Sequence, residues 1–190
     1  MIIGITGGIG SGKSFVSRWL AERYKIPVYD CDSRARRLML SPSLRRKITA
    51  LVGEDAYQPD GQLNRARMAA FVFGDASNTA AINAIVHPVV KADFRRWASR
   101  RSGVVVIESA ILIEAGFSDV ADKVIAVEAP LALRILRIIE RDGISEEQAK
   151  ARVAHQISDE ERRSAADFIL VNDGSDFSPQ LSAFMDSLFQ

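Results

Sequence analysis

The chain has 190 residues, of which 47% are hydrophobic, and it carries a formal net charge of +1. This length and composition suit one α/β domain with a proper core. No apolar run approaches the roughly 18 residues that span a bilayer, and no basic signal-peptide segment precedes the first apolar run. We therefore expect no membrane partner. The single cysteine, Cys31, excludes an internal disulfide, which favours a cytoplasmic protein.

Positive charge is concentrated in residues 34–101, which hold 13 Lys and Arg residues against 5 Asp and Glu residues. This excess indicates a basic surface for a polyanionic ligand. Solvated helix faces, for example at Arg95-Arg96 and Arg100-Arg101, are the alternative explanation. The chain has no nucleic-acid-binding motif and no interleaved aromatic residues, so we expect no nucleic-acid partner.

The N-terminal segment contains the clearest motif. Met1–Thr6 is an apolar run typical of a buried strand, and a Walker A loop follows it, Gly7-Gly8-Ile9-Gly10-Ser11-Gly12-Lys13-Ser14. Glycines let several backbone N–H groups point into one concavity, and the N-terminus of the next helix attracts phosphate. Residues 8–14 are therefore predicted to bind the phosphates of a nucleotide such as ATP. Lys13 would contact the β- and γ-phosphates, and Ser14 would bind Mg²⁺. A chance glycine-rich turn is disfavoured by the strand pattern before the loop and the helix pattern after it.

The next part of the chain is predominantly helical. The pattern predicts a helix over 13–24 and a short strand over 26–29. Further helices are predicted over 34–40, 43–51, 64–73 and 75–101, with Asn64 as an N-cap. His87-Pro88 lies within the last helix, where proline is expected to kink the helix or to split it in two.

Strands and helices alternate in the second half of the chain. Strands are predicted over 104–107, 123–127 and 168–171, and helices over 130–142, 145–157 and 177–188. This alternation predicts a parallel sheet with helices on both faces, which binds ligands at the carboxyl ends of its strands. Apart from the Walker A loop, the polar residues at those ends are Asp30, Asp32, Glu108 and Asn172.

Asp30 and Asp32 follow the second predicted strand. A carboxylate at this position could accept a proton from an attacking hydroxyl group or anchor that hydroxyl. The structural alternative is that Asp32 caps the N-terminus of the next helix. The residue types alone leave both roles open.

Three arginines, Arg134, Arg137 and Arg141, lie on one predicted helix. Arg137 and Arg141 are spaced i, i+4 and therefore project from one face. Paired guanidinium groups on a mobile helix pair can close over transferring phosphates as a lid. Surface ion pairs, such as Arg137 with Glu140 or Arg141 with Glu146, are the alternative explanation.

Glu108 ends an apolar strand, where the acidic residue of a Walker B motif would lie. It could hold Mg²⁺ through water or contact Ser14. His87 is interpreted first as a structural histidine, because only His155 and no cysteine could join it in a metal site. The guanine-recognition motifs of GTPases do not occur after the Walker A loop.

The order and spacing of these motifs resemble the dephospho-coenzyme A kinase family along nearly the whole chain. The matching segments are Ile5–Ser14, Asp30-Cys31-Asp32, Asp60-Gly61-x-Leu63-x-Arg65, His87-Pro88, Arg137 with Arg141-Asp142, Gln148-Ala149, Gln156, and Ala166-Asp167 with Asn172-x-Gly174. One segment departs from the family pattern Asp-x-Pro-Leu-Leu-Phe-Glu. Here the chain has Glu108-Ser109-Ala110-Ile111-Leu112-Ile113-Glu114, in which Glu108 keeps the charge on a longer side chain.

The resemblance implies a three-layer α/β/α P-loop nucleoside-kinase-like fold with a helical insert and a lid. Residues 1–32 and 102–190 would form the nucleotide-binding core, including a lid at 134–157. Residues 33–101 would form the insert that binds the coenzyme. The implied reaction is phosphorylation of the ribose 3′-hydroxyl of dephospho-coenzyme A by ATP with Mg²⁺, which is the last step of coenzyme A synthesis.

The resemblance also implies roles for individual residues. Lys13, Asp32, Arg137 and Arg141 would be catalytic, Ser14 and Glu108 would bind the metal, and Asn172 would join the Walker A loop in binding ATP. Asp32, Arg65 and His87 would bind the acceptor. The alternatives are another P-loop kinase of a small metabolite and a nucleotide-binding switch without an acceptor. Weak self-association is left open.

Overall fold

The computed structural model describes residues 1–188, without the side chains of residues 73 and 76. Its centre is a five-stranded sheet with the order β2-β3-β1-β4-β5. Strand β1 pairs in parallel with β3 and with β4, and β4 pairs in parallel with β5. The strands are β1 (Ile2–Gly7), β2 (Val28–Asp30), β3 (Val105–Glu108), β4 (Lys123–Glu128) and β5 (Phe168–Val171). The predicted α/β fold class is confirmed.

The rest of the regular structure in the described residues is helical. The helices are α1 (Lys13–Tyr24), α2 (Cys31–Met39), α3 (Pro42–Val52), α4 (Arg65–Gly74), α5 (Ala76–Ala98), α6 (Leu131–Asp142), α7 (Glu146–Ala154), α8 (Asp159–Ser164) and α9 (Ser178–Ser187). Short 3₁₀ helices lie at Glu54–Ala56 and Ser118–Val120. Within the described residues, no helix combines the length and the hydropathy that crossing a membrane requires.

The chain divides into two compact units. The core unit contains residues 1–29 and the chain from 103 onwards, and the helical unit contains residues 30–102. In the core unit, apolar side chains of β1, β3, β4 and β5 are buried against α1 and α9. Its strands are nearly continuous apolar runs because a sheet covered by helices is buried on both faces.

The helical unit has its own buried side chains. On α5, Ile82, Val86, Val90 and Phe94 are buried at intervals of four residues. On α3, Leu44, Ile48 and Val52 repeat the same spacing. This period places the apolar residues on one face of each helix, which explains how a unit without a sheet buries a core.

Two details differ from the sequence-based expectations. Helix α5 is one continuous helix with Pro88 inside it, so of the two outcomes expected at His87-Pro88, a kink or a split, the split does not occur. A proline removes one backbone N–H, and the remaining turns of a long packed helix can compensate for that loss. Helix α7 ends at Ala154, and a separate helix, α8, follows it. Ser158 and Glu161 form the capping box that starts α8.

Candidate active site

The Walker A loop joins β1 to α1, as predicted. Gly10 and Gly12 have φ values of 80° and 92°, a left-handed conformation that favours glycine. A Cβ on Gly10 would also lie 2.5 Å from the carbonyl oxygen of Arg134. Gly12 is the N-cap of α1 and provides no side-chain hydrogen bond to the first turn. The first N–H groups of α1 are therefore not satisfied by a capping side chain, which suits phosphate binding.

Ser11 and Asn172 connect the loop to the end of β5. The side-chain amide of Asn172 donates to the carbonyl oxygen of Ser11 over 2.8 Å, and Asn172 is only 5% exposed. The Ser11 hydroxyl is buried and has no hydrogen-bond partner among the described residues. A buried polar atom without a partner is costly, so this hydroxyl fits a site that receives a polar ligand.

Ser14 and Glu108 meet at the carboxyl end of β3. The Ser14 hydroxyl donates to Oε1 of Glu108 over 2.5 Å, and Glu108 is 7% exposed. Of the two roles that the sequence left open for Glu108, holding Mg²⁺ through water or contacting Ser14, this is the contact with Ser14. A hydroxyl and a carboxylate are hard oxygen ligands, and Mg²⁺ characteristically takes one or two protein groups together with substrate phosphates. These residues therefore fit Mg²⁺, although no cluster of three acidic, His or Cys ligands occurs among residues 1–188.

Both backbone groups of Ile9 are held by residues far away in the sequence. The Ile9 N–H donates to Oε1 of Gln156 over 2.7 Å, and the Ile9 carbonyl accepts from Nε of Arg134 over 3.0 Å. These side chains come from α6 and from the segment between α7 and α8. The Walker A loop is thus fixed by the second half of the chain.

Arg134 belongs to a buried charged cluster. Its Nη1 lies 3.1 and 3.0 Å from the two carboxylate oxygens of Asp159, and Nη1 of Arg162 lies 2.7 Å from the same carboxylate. The side chains of Arg134 and Arg162 are only 4% and 2% exposed, whereas Asp159 is 48% exposed. One carboxylate therefore compensates two buried guanidinium groups, and Arg134 is a structural residue rather than a mobile one.

Arg137 lies beside the Walker A loop. Its Nη1 is 3.3 Å from the Gly10 carbonyl, 3.4 Å from the Ser11 carbonyl and 3.3 Å from the Asn172 carbonyl. Arg137 therefore contacts backbone carbonyl groups and not Glu140, the ion-pair partner considered as the alternative. This geometry also places a cation next to the loop that is predicted to hold phosphates.

Arg141 makes a surface ion pair instead. Its Nε and Nη2 donate to the two carboxylate oxygens of Asp142 over 2.8 and 2.9 Å. Arg152 on α7 contacts the same carboxylate at 2.5 Å. These contacts, Arg141 foremost, lower the pKa of Asp142, and the bond to Asp142 raises the pKa of Arg141. The partner suggested from the sequence, Glu146, pairs with Lys150.

A cavity of about 720 Å³ opens beside the Walker A loop within the core unit. Its aromatic wall consists of Phe15, Trp19 and Phe177, with Phe15 and Phe177 in edge-to-face contact at 5.5 Å. Arg137 and Asn172 supply polar groups. Such a combination of apolar walls and a few polar groups is typical of small-molecule sites.

Asp30 and Asp32 have separate positions at the start of α2. Oδ1 of Asp30 accepts hydrogen bonds from the N–H groups of Asp32 and Ser33 over 2.9 and 3.1 Å, so Asp30 is the N-cap. Asp32 lies in the first turn and is exposed. The expectation that Asp32 could cap the helix is wrong, because the helix begins one residue before it.

Arg65 and His87 belong to the helical unit. Arg65 lines a cavity of about 460 Å³ together with Arg36 and Arg37 of α2. Asp32 and Arg36 are spaced i, i+4 on α2 and therefore share a face. His87 is half-buried on α5, and desolvation lowers its pKa. It is not among the residues that line this cavity.

Comparisons with known proteins identify the family. The dephospho-CoA kinase family model matches residues 1–177. This chain belongs to the dephospho-CoA kinase family. A dephospho-CoA kinase of Bacteroides fragilis is 41% identical over 192 residues, which cover 99% of this chain and 93% of that protein. One from Porphyromonas gingivalis is 45% identical over 90% of this chain and 85% of its own length. A crystal structure from Thermus thermophilus has a TM-score of 0.85 at 34% identity, covering 99% of this chain and 97% of that one.

In this member of the dephospho-CoA kinase family, the contacts of Asp159 and Arg162 were not anticipated. The sequence contains a signal for them, because Ser158 and Glu161 have capping-box spacing, as Ser145 and Gln148 do at the start of α7. The helix predicted over 145–157 ends directly before Ser158, so the sequence pattern does not predict a second helix start at that residue. Arg134 was recognised only as one of three helical arginines, since nothing local indicates that it pairs with a residue 25 positions away.

Proposed function

We propose that this protein transfers the γ-phosphoryl group of ATP to the 3′-hydroxyl of the ribose of dephospho-coenzyme A. The observation that carries the proposal is the family match over residues 1–177, which spans the Walker A loop and the whole helical unit. The 3′-oxygen attacks the γ-phosphorus, the bond between this phosphorus and the β–γ bridging oxygen breaks, and ADP leaves. Coenzyme A is the product, so the reaction completes coenzyme A synthesis.

The Walker A loop is proposed to hold the triphosphate. Lys13 follows Gly12 at the start of α1, where its ammonium group can reach the β- and γ-phosphates. The unpartnered Ser11 hydroxyl supports a polar ligand at this position. Ser14 and Glu108 would hold Mg²⁺, which when bound neutralises charge on the β- and γ-phosphates.

The aromatic cavity beside the loop is proposed to receive the adenosine part of ATP. Its lining continues directly from Gly12, so a nucleotide whose phosphates lie on the loop has its base within reach of Phe15 and Trp19. A purine ring packs well against aromatic side chains, and Asn172 and Arg137 offer polar contacts. This arrangement supports the predicted role of Asn172 in nucleotide binding.

The helical unit is proposed to bind the acceptor. Arg36, Arg37 and Arg65 line one cavity of this unit, and guanidinium groups bind phosphate oxygens in bidentate fashion. Dephospho-coenzyme A carries a pyrophosphate that such a cavity would attract. Asp32 shares a helix face with Arg36, so the proton acceptor and the phosphate-binding groups belong to one surface. His87, outside this cavity, is retained as a proposed acceptor contact on the resemblance alone.

Asp32 and the lid arginines are proposed to complete the chemistry. Asp32 would receive the proton of the 3′-hydroxyl or orient that hydroxyl, because Asp30 already performs the capping role. Arg137 and Arg141 would stabilise the charge that develops on the transferring group. Arg141 would first have to leave Asp142, which remains paired with Arg152. The reaction is proposed to occur in the cytoplasm.

A transfer assay tests the proposal directly. The purified protein is incubated with labelled ATP and with dephospho-coenzyme A, AMP, shikimate or gluconate in parallel. We expect labelled coenzyme A and little other product, and we expect Lys13→Ala to abolish the transfer without lowering Tm. Preferential labelling of another acceptor would identify a different small-metabolite kinase. ATP binding with no transfer to any acceptor would favour the switch.

A further inference from the structure

A second basic cavity lies on the helical unit, away from the residues that line the first. It has a volume of about 520 Å³ and is lined by Arg34 of α2, by Asp93, Arg96 and Trp97 of α5, and by Arg100 and Arg101 just after α5. It shares no lining residue with the cavity that contains Arg65. The two cavities are therefore separate features of one unit.

Charge in this cavity is strongly one-sided. Four of its six lining residues are arginines, and a single carboxylate, that of Asp93, opposes them. Asp93 lies 3.9 Å from Arg96, at the limit of an ion pair, and the Arg96 side chain is 69% exposed. Four guanidinium groups against one carboxylate leave a net positive concavity, and a concavity lined mostly by one sign of charge concentrates ions of the opposite sign.

One of the arginines is fixed by aromatic packing. The guanidinium of Arg101 lies 3.9 Å from the ring centroid of Trp97, and its Nη1 donates to the Trp97 carbonyl over 2.6 Å. The Trp97 ring in turn stacks on Phe94, which is fully buried, at 6.1 Å. Arg101 is therefore anchored to the core of the helical unit. A preorganised guanidinium loses less conformational entropy on binding a ligand than a freely moving side chain does.

Helix α2 contributes residues to both cavities. Arg36 and Arg37 line the first cavity, and Arg34 lines the second. Arg34 and Arg36 are two residues apart and do not share a helix face, whereas Arg34 and Arg37 are spaced i, i+3 and do. Asp32 belongs to the face of Arg36, which is the face proposed for the acceptor. The two cavities are distinguished by their lining residues, none of which they share.

We propose that this second cavity is a binding site for a small oligophosphate, meaning a chain of two or three phosphate groups, free or as part of a larger molecule. Guanidinium groups match phosphate oxygens in bidentate geometry, and a cavity with four of them suits several charges in a row. The site is additional to the Walker A loop and to the proposed acceptor cavity. The proposal does not depend on which acceptor the enzyme uses.

Calorimetric titration of the full chain with inorganic triphosphate tests the site. The titration uses Lys13→Ala combined with Arg65→Ala, because the Walker A loop and the proposed acceptor cavity also attract phosphate chains. We expect triphosphate binding to persist in this variant. Adding Arg96→Ala and Arg100→Ala should weaken it by at least about tenfold, because each removed group makes charge-assisted hydrogen bonds. Neither residue anchors Arg101, so the Trp97 packing should survive, and a melting curve checks this.

A matched control removes the same charge elsewhere on the helical unit. Arg46 and Arg95 are exposed and do not line this cavity, so Arg46→Ala with Arg95→Ala should change the affinity by less than about twofold through screened long-range charge alone. Equal losses in both double variants would overturn the site in favour of non-specific attraction. Loss of all triphosphate binding in Lys13→Ala with Arg65→Ala would also overturn it. A raised KM for dephospho-coenzyme A in Arg96→Ala with Arg100→Ala would instead assign the cavity to the acceptor.

Discussion

Ser14 and Glu108 are 94 positions apart, and the hydroxyl of one donates to the carboxylate of the other over 2.5 Å. The contact ties the first turn of α1 to the last residue of β3. It brings a nearly buried carboxylate to the end of the Walker A loop, where a divalent cation would accompany the phosphates of ATP. The longer side chain of Glu108 thus reaches the residue that is expected to ligate the metal.

Glu108→Ala should raise the Mg²⁺ concentration that half-saturates the reaction by about 10–100-fold, the usual cost of losing a group that orients a metal ligand. The measurement is the initial rate at saturating ATP as a function of Mg²⁺. Glu22→Ala, an exposed glutamate on α1, is the control and should leave the Mg²⁺ dependence unchanged. An unchanged Mg²⁺ dependence in Glu108→Ala would limit Glu108 to holding the Ser14 hydroxyl.

Arg137→Ala should lower kcat more than it raises KM for dephospho-coenzyme A. Arg137 lies beside the Gly10 and Ser11 carbonyls, close to where the transferring phosphoryl group would sit. A group that stabilises developing charge acts mainly in the transition state, so its loss costs about 10²–10³ in kcat. Steady-state kinetics measure both parameters. A larger change in KM for ATP with wild-type kcat would make Arg137 a nucleotide-binding residue only.

The role of Arg141 can be tested by comparison with Arg152, because both side chains contact the carboxylate of Asp142. If Arg141 closes over the phosphates, Arg141→Ala should lower kcat at least about tenfold. Arg152→Ala should change kcat little. If Arg141 is only a surface ion pair, the two variants should behave alike and leave kcat near the wild-type value. The same kinetic assay on both variants decides between these outcomes.

Asp159→Ala should lower the free energy of unfolding by roughly 2 kcal/mol or more, since it leaves the buried guanidinium groups of Arg134 and Arg162 without their shared carboxylate. The partial exposure of Asp159 keeps the expected loss below that of a fully buried pair. Because Arg134 also holds the Ile9 carbonyl, KM for ATP should rise. Denaturant unfolding measures the stability, with Glu160→Ala as the adjacent exposed control. Equal stability of the two variants would contradict the role of the cluster.

The lowered pKa of Asp167 predicts how the stability of the protein changes at acidic pH. The Lys123 ammonium group and the Val124 N–H, at 2.9 and 2.8 Å, lower the pKa of this carboxyl. A carboxyl with a depressed folded pKa contributes stability above its unfolded pKa of about 3.9 and loses it as pH falls through the folded value. The Tm difference between the wild type and Asp167→Asn should thus be constant above about pH 5 and shrink below about pH 4.

The control for Asp167 is the same comparison in a Lys123→Ala background. The ammonium group is the first cause of the lowered pKa, so its removal should reduce the pH-dependent part of the Tm difference. A pH-dependent part of the same size in both backgrounds would show that the Val124 N–H alone stabilises the carboxylate. Differential scanning fluorimetry between pH 3 and pH 7 gives all the values.

Local signals in the sequence were sufficient where structure depends on neighbouring residues. The helix over 13–24 and the strand over 168–171 have the predicted positions, and the helix predicted from residue 145 begins there with a capping box, because glycines, apolar runs and caps act over a few residues. The contact of Gln156 with Ile9 joins residues 147 positions apart. No periodicity or spacing contains that information, since it arises only when the sheet brings the two segments together.

Even between residues two positions apart, the sequence does not decide which of the two aspartates caps α2. Asp30 and Asp32 are both good N-caps, so their residue types do not decide which one begins α2. The decision depends on where β2 ends. Because β2 continues to Asp30 and α2 starts at Cys31, Asp30 caps the helix and leaves the Asp32 side chain exposed.

This separation of roles allows a clean test by two substitutions. Asp30→Ala removes a capping carboxylate and should lower the free energy of unfolding by about 1 kcal/mol. Asp32→Asn alters neither this cap nor the N–H that Asp32 donates to it, so Tm should fall only slightly, through the lost interaction of the negative charge with the N-terminus of α2. Melting curves of both variants, with Asp30→Asn as a variant that keeps a capping oxygen, measure these effects.

Asp32→Asn is expected to affect turnover much more than stability. Asp32→Asn should lower kcat by about 10²–10⁴-fold if Asp32 takes the proton of the 3′-hydroxyl, because an amide cannot accept it. ATP binding should persist, since the phosphates are expected on the Walker A loop. A single hydrogen bond to a neutral hydroxyl contributes roughly 0.5–1.5 kcal/mol of binding free energy. Its loss should therefore raise KM for dephospho-coenzyme A only modestly. A kcat within about threefold of the wild type would mean that the loose transition state of phosphoryl transfer needs no base from Asp32.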